Sequence, residues 1–118
     1  MKALVTGATG FVGPRLLRLL DSPVVVSRSP ERARRAVGNL AGPIFQWDPM
    51  REPLPAEALE GVDVVYHLAG ESVAEGRWNA TQKARIRESR VVGTRNLVQG
   101  IAQAERKPRV LVSASAVG

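Results

Sequence analysis

Apolar residues gather in short, valine-rich runs, separated by longer stretches in which apolar positions recur every three or four residues. Four runs are plain: residues 2–6 (KALVT), 23–27 (PVVVS), 62–68 (VDVVYHL) and 109–113 (RVLVS). A weaker one, residues 43–47 (PIFQW), stands third in order. Most are continuous rather than alternating, which predicts strands buried on both faces of a parallel sheet. Residues 11–20 predict a helix with Leu16, Leu17 and Leu20 on one stripe, Arg15 and Arg18 outside it, and Pro14 in the first turn, where its missing N–H costs little. Ser29-Pro30-Glu31 reads as an N-cap opening a second helix that runs to about Val37.

The longest helical segment is residues 79–107, where Ile86, Gly93, Leu97, Ile101 and Ala104 lie near a 3.6-residue period and Pro108 stands just beyond. Glycine inside a helix costs about 1 kcal/mol against alanine, so Gly93 predicts close approach of this helix to the sheet. The proline-rich passage 47–61 is the one long irregular region, with a short helix at 55–59. Strand and helix alternate throughout. That order predicts one α/β domain over residues 1–118, a doubly wound parallel sheet in strand order 3-2-1-4-5. The last strand then forms an edge of unpaired N–H and C=O groups, a template for pairing with a second copy as a homodimer.

Composition narrows the classes. With 118 residues, 44% of them apolar, the chain can build one soluble core. Cysteine is absent, which rules out a disulfide framework and thiolate-ligated metal, and no metal site is expected. No run approaches the roughly 18 consecutive apolar residues of a membrane span, and Met1-Lys2 leads straight into the first strand, so a cytoplasmic protein is expected. The net charge is +6, and all but three of the 17 basic residues (Lys2, Lys83, Lys107) are arginine. These arginines are scattered over amphipathic segments with one aromatic, Trp78, among them, which argues for solvated helix faces and against nucleic-acid binding.

The chemistry begins at residues 4–13, LVTGATGFVG, where Gly7, Gly10 and Gly13 join the first strand to the first helix. In such a turn the first glycine takes the sharp bend and the second lets a pyrophosphate reach the backbone. The third lets helix and strand pack closely. A nicotinamide dinucleotide is the ligand this strand–turn–helix context predicts. An NAD-binding fold places a carboxylate at the end of the second strand, about 20 residues on, to hold the ribose 2′-hydroxyl. Eighteen residues beyond Gly10 stands Arg28, flanked by Ser27 and Ser29 and followed one turn later by Arg32. A guanidinium there suits a 2′-phosphate, so NADP is the expected cofactor and NAD the alternative. The blander reading of Arg28 is a surface arginine beside a helix start.

With these motifs in place, the chain resembles an extended short-chain dehydrogenase/reductase of the nucleotide-sugar epimerase-like kind. The stretches that carry the resemblance are VTGATGFVG (5–13), VVYHLAGESV (64–73), SRVVGTRNLVQGI (89–101) and VLVSASAVG (110–118). The resemblance implies a Rossmann-type fold. It implies that Gly7, Thr9, Gly10, Phe11, Val12 and Gly13 line the pyrophosphate and adenosine side and that Asp48 meets the adenine edge. Leu68, Ala69 and Gly70 would back the ribose and nicotinamide half, and Ser115 would be the catalytic serine that binds the substrate oxygen.

The departure is as informative. The family's acid/base tyrosine belongs to a Tyr-x-x-x-Lys pair, whereas the only tyrosine here is Tyr66, inside a strand. The expectation is therefore the NADP(H)-binding half of an epimerase-like oxidoreductase or of a sugar-nucleotide epimerase, cut after the fifth strand and inactive alone. The alternative is a non-catalytic NADP(H) sensor or regulatory module. His67, the sole histidine, has no carboxylate partner in sequence and is expected to be structural.

Overall fold

The structure is a computed structural model that describes residues 1–8, 12–68 and 80–113. The elements follow the expected order: β1 (Ala3–Thr6), α1 (Gly13–Leu19), β2 (Val24–Ser27), α2 (Pro30–Val37), β3 (Ile44–Gln46), β4 (Val64–His67), α3 (Ala80–Gln103) and β5 (Val110–Ser113). Short 3-10 turns occupy Gly38–Leu40 and Ala56–Leu59. All five strands are parallel in the order β3-β2-β1-β4-β5. No helix among the described residues is long and apolar enough to cross a membrane.

Alternation along the central strands builds two cores. Leu4, Val24, Val26 and Val65 face one side, where Trp47, Leu54, Leu59 and Leu97 of α3 complete a buried cluster. Val5 and Val25 face the other, against Leu17 of α1 and Val37 of α2. Each fully buried aliphatic side chain contributes about 1.5–3 kcal/mol, which explains why β1, β2 and β4 read as unbroken apolar runs. Trp47 is buried without stranding its indole, because Nε1 donates to the Glu52 carbonyl at 2.9 Å.

β5 departs from the buried-strand expectation. Val110, Leu111 and Val112 stay 42–46% exposed. β5 pairs with β4 on one side only, and no described helix covers it, so its apolar sequence meets solvent. The expectation of self-pairing rests on this edge.

At the sheet's amino-terminal end, Asp63 ties the residue before β1 to the connection between α3 and β5. Its Oδ2 accepts the Lys2 N–H at 2.9 Å and its Oδ1 accepts Arg106 Nη2 at 2.7 Å, while its carbonyl accepts the Arg109 N–H at 2.8 Å. The Lys2 amide first, and the Arg106 guanidinium after it, hold this carboxyl below its ordinary range.

α3 docks on the loop after β3 rather than directly on the sheet at Gly93. A Cβ there would meet the Pro49 ring at 3.3 Å, while the tightest approach falls seven residues on, at Gly100, whose added Cβ would collide with the Leu54 backbone. Asn96 fastens the same contact: its Nδ2 donates to the Pro49 carbonyl at 2.6 Å, and its own carbonyl accepts the Leu54 N–H at 3.1 Å. The periodicity marked the correct helix face but could not show that an irregular loop threads beneath it.

Alanine gains about 1 kcal/mol of helix propensity over glycine at either site. At Gly100 the backbone clash outweighs that gain, because forced overpacking costs about 1–3 kcal/mol or more. In urea unfolding, Gly100→Ala should lower the midpoint clearly, while Gly93→Ala, which needs only a small shift of a proline ring, should leave it within about 0.5 kcal/mol of the unaltered chain.

Candidate functional site

Parallel strands send their following loops to one edge of the sheet, and the order reverses between β1 and β4. Ligands of open α/β sheets bind in the crevice at such a switch point. The residues singled out from the sequence stand at or after the carboxyl ends of the strands: Gly7, Val12 and Gly13 after β1, Ser27, Arg28, Ser29 and Arg32 around the start of α2, Asp48 after β3, and Leu68 after β4. Thr9, Gly10, Phe11, Ala69, Gly70 and Ser115 lie outside the described residues.

The glycine turn meets its physical requirements at both described ends. Gly7 has φ +68°, a backbone conformation that side chains disfavour. Gly13, the first residue of α1, is buried, and an added Cβ would overlap the Ala8 carbonyl. The helix start is therefore pressed against the turn as closely as a bare backbone allows, which is the fit a pyrophosphate cradle needs. Pro14 occupies the first turn of α1 as expected.

At the end of β2 the two serines differ in role. The Ser29 N–H donates to Ser27 Oγ at 3.1 Å, and the Ser27 hydroxyl donates to the Ser29 carbonyl at 3.2 Å. Ser27 thus folds the bend on which Arg28 stands, instead of offering its hydroxyl outward. Ser29 precedes α2 without a side-chain cap bond. Arg28 and Arg32 are exposed, and among the described residues neither guanidinium carries a hydrogen bond or ion pair. Arg34, by contrast, is structural: its guanidinium holds the carbonyls of Gly38, Ala41 and Gly42 at 2.6–3.1 Å. No carboxylate ends β2, and Glu31, one position into α2, is the acidic residue of that first turn.

Asp48 closes its own turn. Oδ1 accepts the Met50 N–H at 3.0 Å, and Oδ2 lies 3.6 Å from Arg51 Nε. Tyr66 packs partly buried on the α1–α2 side of the sheet. Ser113 stands in register with His67 and is exposed at the end of β5.

Sequence reasoning missed one cluster. Thr6 and His67 are the buried polar residues among those described, and they bond each other: Thr6 Oγ1 lies 2.8 Å from His67 Nδ1. The Leu68 N–H donates to both the Thr6 carbonyl and Oγ1, each at 3.1 Å. On the far side of the ring, Nε2 lies 3.3 Å from Thr94 Oγ1 on α3. His67 is buried with a threonine hydroxyl at each ring nitrogen, while Thr6 and Thr94 sit in runs that gave no reason to single them out. Burial pushes the His67 pKa below its ordinary 6.5 and keeps the ring neutral.

Known proteins match along the whole of this architecture. The model of the NAD-dependent epimerase/dehydratase family matches residues 3–118, and the chain belongs to that family. It is 33% identical over 123 aligned positions to the epimerase family protein YfhF of Bacillus subtilis, covering 100% of this chain and 38% of the relative. The human epimerase family protein SDR39U1 is 32% identical, over 99% of this chain and 37% of its own length. A crystal structure of human SDR39U1 isoform 2 with NADPH matches with a TM-score of 0.70 at 31% identity, over 96% of this chain and 36% of that one. The fold is shared more widely. UDP-glucuronic acid 4-epimerase of Bacillus cereus, in complex with UDP-glucuronic acid and NAD, matches with a TM-score of 0.70 at 23% identity, over 96% of this chain and 39% of that one. The chain spans little more than a third of the length of these relatives.

The state of His67 sets a pH dependence. Its folded pKa lies below 6.5, so the unfolded chain takes up a proton that the folded chain resists, and stability falls as pH drops below about 6.5. Urea midpoints at about pH 7.5 and 5.5, above the range where most carboxylates titrate, should show this loss in the unaltered chain. His67→Gln, though less stable throughout, should lack it.

Proposed function

We propose that this chain binds a nicotinamide dinucleotide, NADP(H) in preference to NAD(H), as the cofactor-binding portion of an epimerase-like oxidoreductase. The observation that carries the reading is the pairing of a glycine turn closed to any side chain at Gly13 with a β2 terminus that presents Arg28 and no carboxylate. NADPH in the human SDR39U1 structure supports the same preference.

The residues take distinct parts in this proposal. The backbone from Gly7 to Gly13, with Thr9, Gly10, Phe11 and Val12 between, lines the diphosphate. Arg28 and Arg32 meet the 2′-phosphate as charge-assisted donors, with Ser29 beside them. Asp48 stands toward the adenine edge while holding its own turn. Leu68, Ala69 and Gly70 back the nicotinamide half, and Ser115 takes the substrate oxygen. A bound dinucleotide supplies a hydride donor or acceptor. Within these 118 residues the sole tyrosine is Tyr66, partly buried on the sheet, and the part these residues take is to bind and orient the dinucleotide.

Calorimetric titration tests the preference. NADPH should bind more tightly than NADH, and Arg28→Ala should weaken NADPH by about ten- to a hundredfold, as expected for removing one charge-assisted hydrogen bond, while leaving NADH nearly unchanged. Tighter NADH binding by the unaltered chain would refute the preference.

A further inference from the structure

Thr6 and His67, the buried polar residues among those described, lie where the two candidate loops diverge. Thr6 ends β1 and directly precedes Gly7; His67 ends β4 and directly precedes Leu68. They face each other in strand register. The Leu68 N–H makes the last ordinary bond of this parallel ladder, to the Thr6 carbonyl, and shares it with the Thr6 hydroxyl. A side chain of β1 thereby holds the first residue after β4. The imidazole then bridges from Thr6 Oγ1, at 2.8 Å, to Thr94 Oγ1, at 3.3 Å, so a helix on the sheet's face joins the same chain of bonds.

We infer that Thr6, His67 and Thr94 form a positioning clasp that sets the separation of the glycine turn from the Leu68 loop, so that one dinucleotide touches both. The inference rests on the cofactor reading above. Its logic is energetic. A buried hydrogen-bonded group adds little net stability over an apolar one of the same shape, because each partner gives up water to enter the core. A directional network fixes geometry instead, as apolar packing alone does not. Either neutral tautomer completes the chain, since one ring nitrogen donates, the other accepts, and both threonine hydroxyls rotate to match. A ligand spanning two loops depends on their spacing, and a small misplacement of either loop weakens every bond the ligand makes there.

The test compares four variants of the full chain by NADPH dissociation constant and urea midpoint, at a temperature where each is folded. Thr6→Val keeps the shape and removes the inner hydroxyl; Thr6→Ser restores it. Thr94→Val removes the outer partner at an exposed position that the fold tolerates. Leu59→Ala opens the core elsewhere. Thr6→Val should weaken NADPH binding about five- to tenfold and Thr94→Val about two- to fivefold, the range of one hydrogen bond. Thr6→Ser should bind like the unaltered chain. Leu59→Ala should lose stability and keep its affinity, which separates positioning from mere destabilisation. Should Thr6→Val fail to fold, Thr94→Val against Leu59→Ala decides alone. Unchanged affinity in both threonine-to-valine variants, or an equal loss in Leu59→Ala, would overturn the clasp while leaving the cofactor reading intact. No NADPH binding by the unaltered chain would overturn that reading and the clasp with it.

Discussion

Everything at the candidate site depends on how closely the start of α1 can press on the turn that leaves β1. Gly13 sits where a single extra carbon would overlap the Ala8 carbonyl, and Gly7 bends through a positive φ that other residues resist. Those two backbone demands fix where α1 begins. Leu17 then reaches the core beside Val5 and Val25, so the same contact that shapes the cradle also seals the α1–α2 side of the sheet. The shape of the turn and the packing of the core are coupled through one missing side chain.

From that contact the rest follows by topology. Parallel pairing of β1 with both β2 and β4 brings the bend carrying Arg28 and the loop opening at Leu68 to the same edge as the glycine turn. Each has its own local support. Ser27 and Ser29 close the first bend with a mutual pair of bonds, and Thr6 anchors Leu68. The long irregular passage after β3 proves to be the platform on which α3 rests. Trp47 and Leu54 are buried beneath it, and Asn96 stitches the two together.

The fold was legible because its signals are local. Valine runs at β1, β2 and β4 report burial on both faces, and Pro14 and Pro30 mark helix starts that the structure reproduces. The glycine spacing was legible for the same reason. What escaped was set by distant partners. Nothing in the neighbourhood of Gly100 announces that Leu54 crosses there, and nothing around Thr94 announces a histidine 27 residues earlier in the chain. The two serines beside Arg28 look equivalent in sequence; only their bond pattern shows that one is spent on the bend. The exposure of β5 reflects its edge position, since an apolar strand reads alike whether or not neighbours cover it.

Amide chemical-shift mapping on the isotope-labelled chain tests the central claim most directly, because it reports where a dinucleotide sits as well as whether it binds. On addition of NADPH, the largest shifts should fall on Gly7, Ala8, Val12, Gly13, Arg28 and Leu68. The open groove along the outer side of α2, lined by Pro30, Glu31, Arg34, Arg35 and Ile44, should respond less. Shifts centred on that groove, or none at the glycine turn under saturating ligand, would contradict the account.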